Sequence, residues 1–300
     1  MVAVGRAALP VPSMPASIPS PSSGSIELGP LAINAYGLMI ALGLIAAVWL
    51  FGRRLEQRGI GTRDDASAVA LWAGLAGVIG SRLYHVATDW ERFSGNLDEI
   101  PRIWEGGLGI PGGLVAGTVV GLPVLRHRGV PLGEGANCAA PAIALGQAIG
   151  RWGNYFNQEL FGRETDLPWA LEIDVENLPV GYAPGTTFHP TFLYESLWSF
   201  ALVGVLIWID HRWRPAPGRL FATYVVGYGV GRFWVEGLRI DEADRLGGLR
   251  WNQWVAIAAI VGGAIYLFAT RGAERRSPSR TDGPPTEPVP DEPDPQATTS

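Results

Sequence analysis

Residues 32–63 read AINAYGLMIALGLIAAVWLFGRRLEQRGIGTR. The first 21 carry no charge, and the next eleven carry four arginines, Arg53, Arg54, Arg58 and Arg63. An uncharged apolar run of about 20 residues is the length a helix needs to cross the hydrocarbon of a bilayer. A burst of arginine at its end is the mark of the cytoplasmic side. Six more such runs, or nearly so, follow at about 67–87, 108–125, 136–153, 190–210, 219–238 and 251–270. The fourth is the weakest, being short and rich in Gly, Ala and Pro. The expected fold is therefore all-α, a polytopic membrane protein with about seven transmembrane helices.

Arginine placement supplies an orientation. One alternate set of connections holds thirteen arginines: the four above, Arg126 and Arg128, Arg212, Arg214 and Arg219, and Arg271, Arg275, Arg276 and Arg280. The opposite set holds seven: Arg6, Arg92, Arg102, Arg163, Arg239, Arg245 and Arg250. The positive-inside rule then puts the N-terminus outside and the C-terminus in the cytoplasm, as an odd number of spans requires. No internal repeat is visible, so an inverted-repeat transporter is not suggested.

Composition agrees. Of 300 residues 47% are hydrophobic and only 17% charged, where a soluble domain carries about 25% charged residues. There are 40 glycines and 12 tryptophans, suited to close helix packing and to bilayer interfaces. All 23 basic residues are arginine, and a formal charge of -5 excludes a general nucleic-acid partner, which would need a basic stripe. The single cysteine, Cys138, excludes a disulfide framework and a cysteine-built zinc site. His85, His127, His189 and His211 show no ligand spacing, so neither metal nor other cofactor is expected. Residues 1–30 are Pro/Ser-rich and read as a flexible outward segment. They are no secretory signal, because prolines interrupt any apolar core and no cleavage site follows one. Residues 31–271 form the seven-span domain, and the Pro- and acid-rich run 272–300 reads as a disordered cytoplasmic tail.

Three arginines, Arg82, Arg151 and Arg232, lie inside or at the edge of apolar runs. A central intramembrane Arg costs roughly 2.5–3.5 kcal/mol on insertion scales, so each needs a partner, a wet cavity or a function. In this orientation all three sit toward the outer face, where they could converge on one anionic group. Tyr228, Arg232, Glu236 and Arg239 share one helical stripe. They read either as a self-neutralising structural pair between helices or as an Arg braced by a carboxylate with donors left for an oxyanion. GRWGNYFNQELFGR, residues 150–163, sets Arg151 three residues before Asn154 and adds Gly153, Asn157, Glu159 and Gly162. An ordinary capped helix end explains its Asn, Trp and Gly, but explains Arg and Glu together poorly.

HPTFLYESLW, residues 189–198, opens the fifth run. His189 before Pro190 could be a helix-start turn, whereas Glu195, one turn into the span, calls for an Arg partner. Tyr36 in AYGLM reads on its own as an interfacial aromatic. The glycines of GGLGIPGGLVAG (106–117) read as tight helix packing. His85 lies one turn from Arg82 and is a site candidate on that ground, though lone histidines are usually structural.

Taken together these stretches resemble the prolipoprotein diacylglyceryl transferase family, over roughly residues 30–270. The run from Gly150 to Gly162 is similar to that family's signature, with Arg151, Gly153, Asn154, Asn157, Glu159 and Gly162 in order and spacing. Tyr36-Gly37-Leu38-Met39, His189-Pro190 with Tyr194-Glu195, and Tyr228-Gly229 with Arg232, Glu236 and Arg239 match further motifs. The resemblance implies a multi-pass protein of the bacterial cell membrane with seven spans. It also implies transfer of the sn-1,2-diacylglyceryl group of phosphatidylglycerol to the lipobox cysteine of a preprolipoprotein, forming a thioether and releasing glycerol 1-phosphate. Its partners would be phosphatidylglycerol, preprolipoproteins and membrane lipids.

On that reading Arg151, Arg232, Glu236 and His85 are the catalytic candidates. Arg151 and Arg232 grip the phosphate, while Glu236 and Glu159 orient them. Asn154, Glu159, Gly162, Tyr36, Tyr228, Arg232, Arg239 and His189 join Arg151 as candidates to contact phosphatidylglycerol. The sequence departs from the family at Pro111, where many relatives have a histidine proposed as the base. Here arginine-assisted thiol ionisation is the preferred reading, with His85 the first substitute base and His189 the second. The alternative is a transporter or flippase of an anionic lipid using the same arginines. A clustering of charge toward one face argues against it.

Overall fold

A computed structural model describes residues 17–28 and 31–272. The expected tail from residue 273 and the first sixteen residues fall outside the described residues. The chain opens on a hairpin of β1 (Ser25–Leu28) and β2 (Leu31–Asn34), then runs through α1 (Ala35–Arg58), α2 (Arg63–Thr88), the short α3 (Trp90–Phe93) and α4 (Ile110–His127). Next come α5 (Leu132–Gly150), the five-residue α6 (Trp152–Phe156), and a second hairpin of β3 (Leu171–Glu172) and β4 (Thr187–Phe188). The last elements are α7 (Thr191–Trp213), α8 (Arg219–Glu236), a third hairpin of β5 (Arg245–Leu246) and β6 (Leu249–Arg250), and α9 (Trp251–Ala269).

Seven helices of 18 to 26 residues thus lie on the seven apolar runs. Four of them, α1, α2, α7 and α9, are long and apolar enough to cross a membrane. The other three are compromised in ways the sequence explains. Helix α4 is 18 residues and ends in Arg126 and His127. Helix α5 carries Glu134, Asn137 and Gln147, and α8 carries Arg219, Arg232 and Glu236. Polarity faces inward and grease faces outward. Glu236 and Asn137 are fully buried, whereas Ile45, Leu114 and Phe268 are more than 60% exposed. Such a surface would be an aggregation hazard in water and is the expected outside of a protein solvated by lipid.

Local chemistry sets the helix ends. Asn34 Oδ1 accepts from Gly37 N at 3.0 Å to start α1, and Gly59 closes it at φ 64°. Thr62 and Asp65 form a reciprocal cap on α2. Asn137 of α5 caps a different helix, its Oδ1 accepting from Leu220 N at 3.0 Å at the start of α8. Helix α1 runs six residues past the expected end of its apolar segment. Arg54 and Arg58 are therefore not free loop charges: Arg54 pairs with Asp210 of α7 at 2.6 Å, and Arg58 with both Asp210 and Glu134 of α5. These pairs tie one end of α1, α5 and α7 together.

The closest crossings use glycine. A Cβ on Gly43 would lie 2.8 Å from Gly146 O, which seats α1 on α5. A Cβ on Gly112 would collide with Gly80 O and Tyr84 Cβ, where α4 crosses α2. Gly112→Ala is expected to cost about 1–3 kcal/mol by forcing those backbones apart, read as a lower unfolding temperature in detergent.

At the opposite end from the Asp210 pairs, residues 157–189 fold into a small cap around Phe161, Leu171, Ile173, Phe188 and Phe192. The N-terminal stretch is sewn onto it, because Ile18 N donates to Ala170 O at 2.7 Å and Glu172 N to Ile18 O at 2.9 Å.

Candidate active site: a row of guanidinium and carboxylate groups

Helix α8 brings Arg232 and Glu236 to its last turns on one face. Glu236 has no solvent exposure, so its charge must be answered locally. Its Oε2 lies 2.7 Å from Arg232 Nη2 and 3.6 Å from Arg239 Nη1, while Oε1 accepts from Arg250 Nε at 2.8 Å and Asn252 Nδ2 at 3.2 Å. Beyond the helix, Asp241 takes a two-pronged contact from Arg239 (2.7 and 2.9 Å) and another bond from Arg250 Nη2 at 2.9 Å. Burial alone would raise the Asp241 pKa, but the two guanidiniums hold it below the ordinary carboxylate range.

The row continues across α7. Glu195 places Oε1 3.1 Å from Arg232 Nη1 and Oε2 2.5 Å from Arg151 Nε. Arg151 sits at the α5–α6 junction with helical φ −62°, ψ −24°. Its Nη1 reaches Asn154 Oδ1 at 3.4 Å, and Asn154 Nδ2 donates to Glu159 Oε1 at 2.9 Å. In directly ion-paired groups, four guanidiniums (Arg151, Arg232, Arg239, Arg250) face three carboxylates (Glu195, Glu236, Asp241). Glu159, one hydrogen bond behind Asn154, is a further carboxylate of the same site, and in such an apolar setting fixed charges act far more strongly on an anion than they would in water.

Tyr36 closes one side, its ring so near Gly153 that a Cβ there would lie 2.7 Å from Tyr36 Cδ2. Tyr228, one turn before Arg232, stacks on Tyr224. Gly162 lets two strands of the cap meet: its N donates to His189 O at 2.9 Å, it bridges Arg239, and a Cβ would lie 2.8 Å from His189 Cβ. His189 Nδ1 is 3.0 Å from Tyr194 Oη, which also accepts from Trp169 Nε1 at 3.0 Å. Burial, with help from Arg163, lowers the His189 pKa, so the ring is neutral at pH 7.

Several expectations change here. Arg82 does not join the other two arginines. It is 7% exposed and donates to the carbonyls of Glu99, Ile100, Gly106 and Gly107 at 2.5 to 3.1 Å, clasping the connection before α4. His85 belongs to that clasp: Nδ1 is 3.2 Å from Asp89, Phe93 meets its ring edge-on, and it lies against Gly107. Among the described residues no ion pair, hydrogen bond or ring contact links it to the arginine–carboxylate row. Pro111 stands in the first turn of α4, lining an apolar groove of about 360 Å³ with Tyr84 and Val115. Glu159, expected to orient an arginine, reaches Arg151 through Asn154. Glu195 is the carboxylate on Arg151.

Arg250 was counted as a loop charge, yet it is 4% exposed and braces Glu236. Asp241 and Asn252 were not expected at all. The only signal for this trio was the need of a buried Glu236 for more than one partner. Among the described residues no group of three or more His, Cys, Asp or Glu could hold a metal.

Fold and row together define a helical membrane protein with a largely buried row of arginine and carboxylate groups beside apolar surface. Residues 24–269 match the family model of prolipoprotein diacylglyceryl transferase. A phosphatidylglycerol--prolipoprotein diacylglyceryl transferase of Streptomyces griseus is 48% identical over 256 residues, covering 84% of this chain and 77% of the relative. One from Streptomyces coelicolor is 46% identical over 268 residues (88% and 76%), and one from Rhodococcus jostii 44% over 276 (86% and 76%). The chain belongs to the prolipoprotein diacylglyceryl transferase family.

Proposed function

We propose that this chain transfers the sn-1,2-diacylglyceryl group of phosphatidylglycerol to the lipobox cysteine of preprolipoproteins. It works in a bacterial cell membrane that it crosses seven times, with its N-terminus outside and its tail in the cytoplasm. The arginine asymmetry supports the orientation. The row joins the first turns of α7 to the last turns of α5 and α8, ends that lie toward the outer face in that orientation. The observation that carries the reading is the pair Arg151 and Arg232 held on one buried carboxylate inside an apolar bundle.

The substrate thiolate attacks the glyceryl carbon that bears the phosphate. A C–S bond forms and the C–O bond breaks. Its electron pair leaves on the phosphate of glycerol 1-phosphate, and the thiol proton passes to solvent or to that phosphate. Negative charge gathers on the leaving oxygens, where fixed guanidinium donors stabilise it most. Arg151 and Arg232 grip the phosphate, Glu236 braces Arg232, and Asn154 with Glu159 steadies Arg151. Tyr36, Tyr228, Gly162, Arg239 and His189 line or shape the headgroup seat. Thiol ionisation rests on the arginines of the row, since a guanidinium raises the thiolate fraction of a cysteine brought near it. His85 is the alternative base.

The test follows acyl-labelled phosphatidylglycerol onto a lipobox peptide, with wild type, Arg151→Ala and His85→Ala compared as folded proteins. Label transfer by wild type, its loss in Arg151→Ala and its survival in His85→Ala is the expected result. Loss in His85→Ala would make that residue the base in place of the histidine absent at position 111. Folded wild type that moves the lipid between leaflets without labelling peptide would replace the transferase by a transporter.

A further inference from the structure

We infer that Glu195 is a positioning residue of the phosphate seat: it joins Arg151 and Arg232 into one anion site and holds the site's charge low enough for the phosphate product to leave. This rests on the transferase reading above. Glu195 lies in the first turns of α7 and is 8% exposed, with one carboxylate oxygen on each arginine. Among the described residues no other group touches both guanidiniums, which arrive from the α5–α6 junction and from α8.

The choice of atoms matters. Glu195 takes Arg151 through Nε, so the Nη edge keeps only the 3.4 Å contact with Asn154. That edge is the one that grips a phosphate through two parallel bonds. On Arg232, Glu195 and Glu236 occupy Nη1 and Nη2. Arg232 is thereby fixed between two carboxylates with N–H donors still to offer, and Arg151 presents the more open fork.

Charge assigns Glu195 its second role. Ionised Glu195 takes one unit from the positive charge that Arg151 and Arg232 bring to a phosphodiester headgroup, itself singly charged. The departing glycerol 1-phosphate is a monoester that carries up to two charges. Without the Glu195 charge the row would be more positive by one unit and would favour the more highly charged product over the substrate.

Glu195→Gln keeps the shape, removes the charge and turns an amide donor toward one guanidinium. Kinetics with phosphatidylglycerol and lipobox peptide should show kcat lowered by about a hundredfold or more, with KM for the lipid not raised. Inhibition by glycerol 1-phosphate should tighten on the order of tenfold, from the added unit of charge. A merely structural residue would lower the folded fraction and leave that inhibition constant unchanged. Where Glu195→Gln fails to fold, Glu195→Asp keeps the charge and shortens the reach, so kcat should fall with no tightening of inhibition.

Wild-type kcat in Glu195→Gln, or lost activity with unchanged inhibition, overturns the inference while leaving the transferase reading intact. A wild type that transfers nothing overturns that reading instead. The seat is then measured by glycerol 1-phosphate binding alone, where tighter binding to Glu195→Gln supports the inference and equal binding refutes it.

Discussion

Arg232→Ala is expected to cut transfer of the diacylglyceryl group by about 10²- to 10³-fold, the loss seen when one preorganised donor to a developing oxyanion is removed. The fold should survive it. Glu236 retains Arg250 at 2.8 Å and Arg239 at 3.6 Å, and Glu195 retains Arg151 at 2.5 Å. No carboxylate is therefore left alone in the bundle, and the thermal transition in detergent should move little beside the change in turnover. Arg232→Lys should recover little activity, because an ammonium cannot meet Glu195 and Glu236 through two fixed nitrogens while offering a third donor. Turnover measured beside the thermal transition separates this account from a purely structural pair, for which stability and activity would fall together.

Glu236→Ala should act in the opposite sense, chiefly on stability. Its side chain is fully buried and answers three guanidiniums and Asn252. Removing it leaves Arg232, Arg239 and Arg250 facing one another with Asp241 and Glu195 as the remaining counter-charges. Breaking a buried ion network on one side costs about 3–5 kcal/mol, enough to deplete folded protein in the membrane. Glu236→Gln retains an acceptor for Arg250 and Asn252 and should lose distinctly less. Equal yield and equal unfolding temperature for Glu236→Ala and wild type would contradict the burial and pairing described for this residue.

The helices were legible because each is a long apolar run, and lipid solvation leaves few other ways to satisfy the backbone. The stripe Tyr228–Arg232–Glu236 was legible because helical periodicity alone puts those residues on one face. Arg82 shows the limit of such reasoning. Its depth along α2 resembles that of Arg151 and Arg232, but depth says nothing about azimuth, and it faces the connection before α4. Glu195 plainly needed an arginine, yet the sequence could not say that it would take two from separate helices. Arg250 and Asp241 lie in the connection 237–250 between α8 and α9, where hairpin pairing of Arg245 with Arg250 folds the chain back onto Glu236. Two-residue strands carry too little periodicity to be seen in sequence. The cap over residues 157–189 was invisible for the same reason.

The most direct test of phosphate-gripping transfer uses phosphatidylglycerol labelled in both the acyl chains and the phosphoglycerol headgroup, with purified wild-type protein and a single-cysteine lipobox peptide. For every acyl pair that arrives on the peptide, one water-soluble glycerol phosphate should appear, with the same time course. Peptide that gains acyl label while the headgroup label stays in the lipid would mean that an ester bond was cut rather than the C–O bond to phosphate, and would contradict the role given to Arg151 and Arg232.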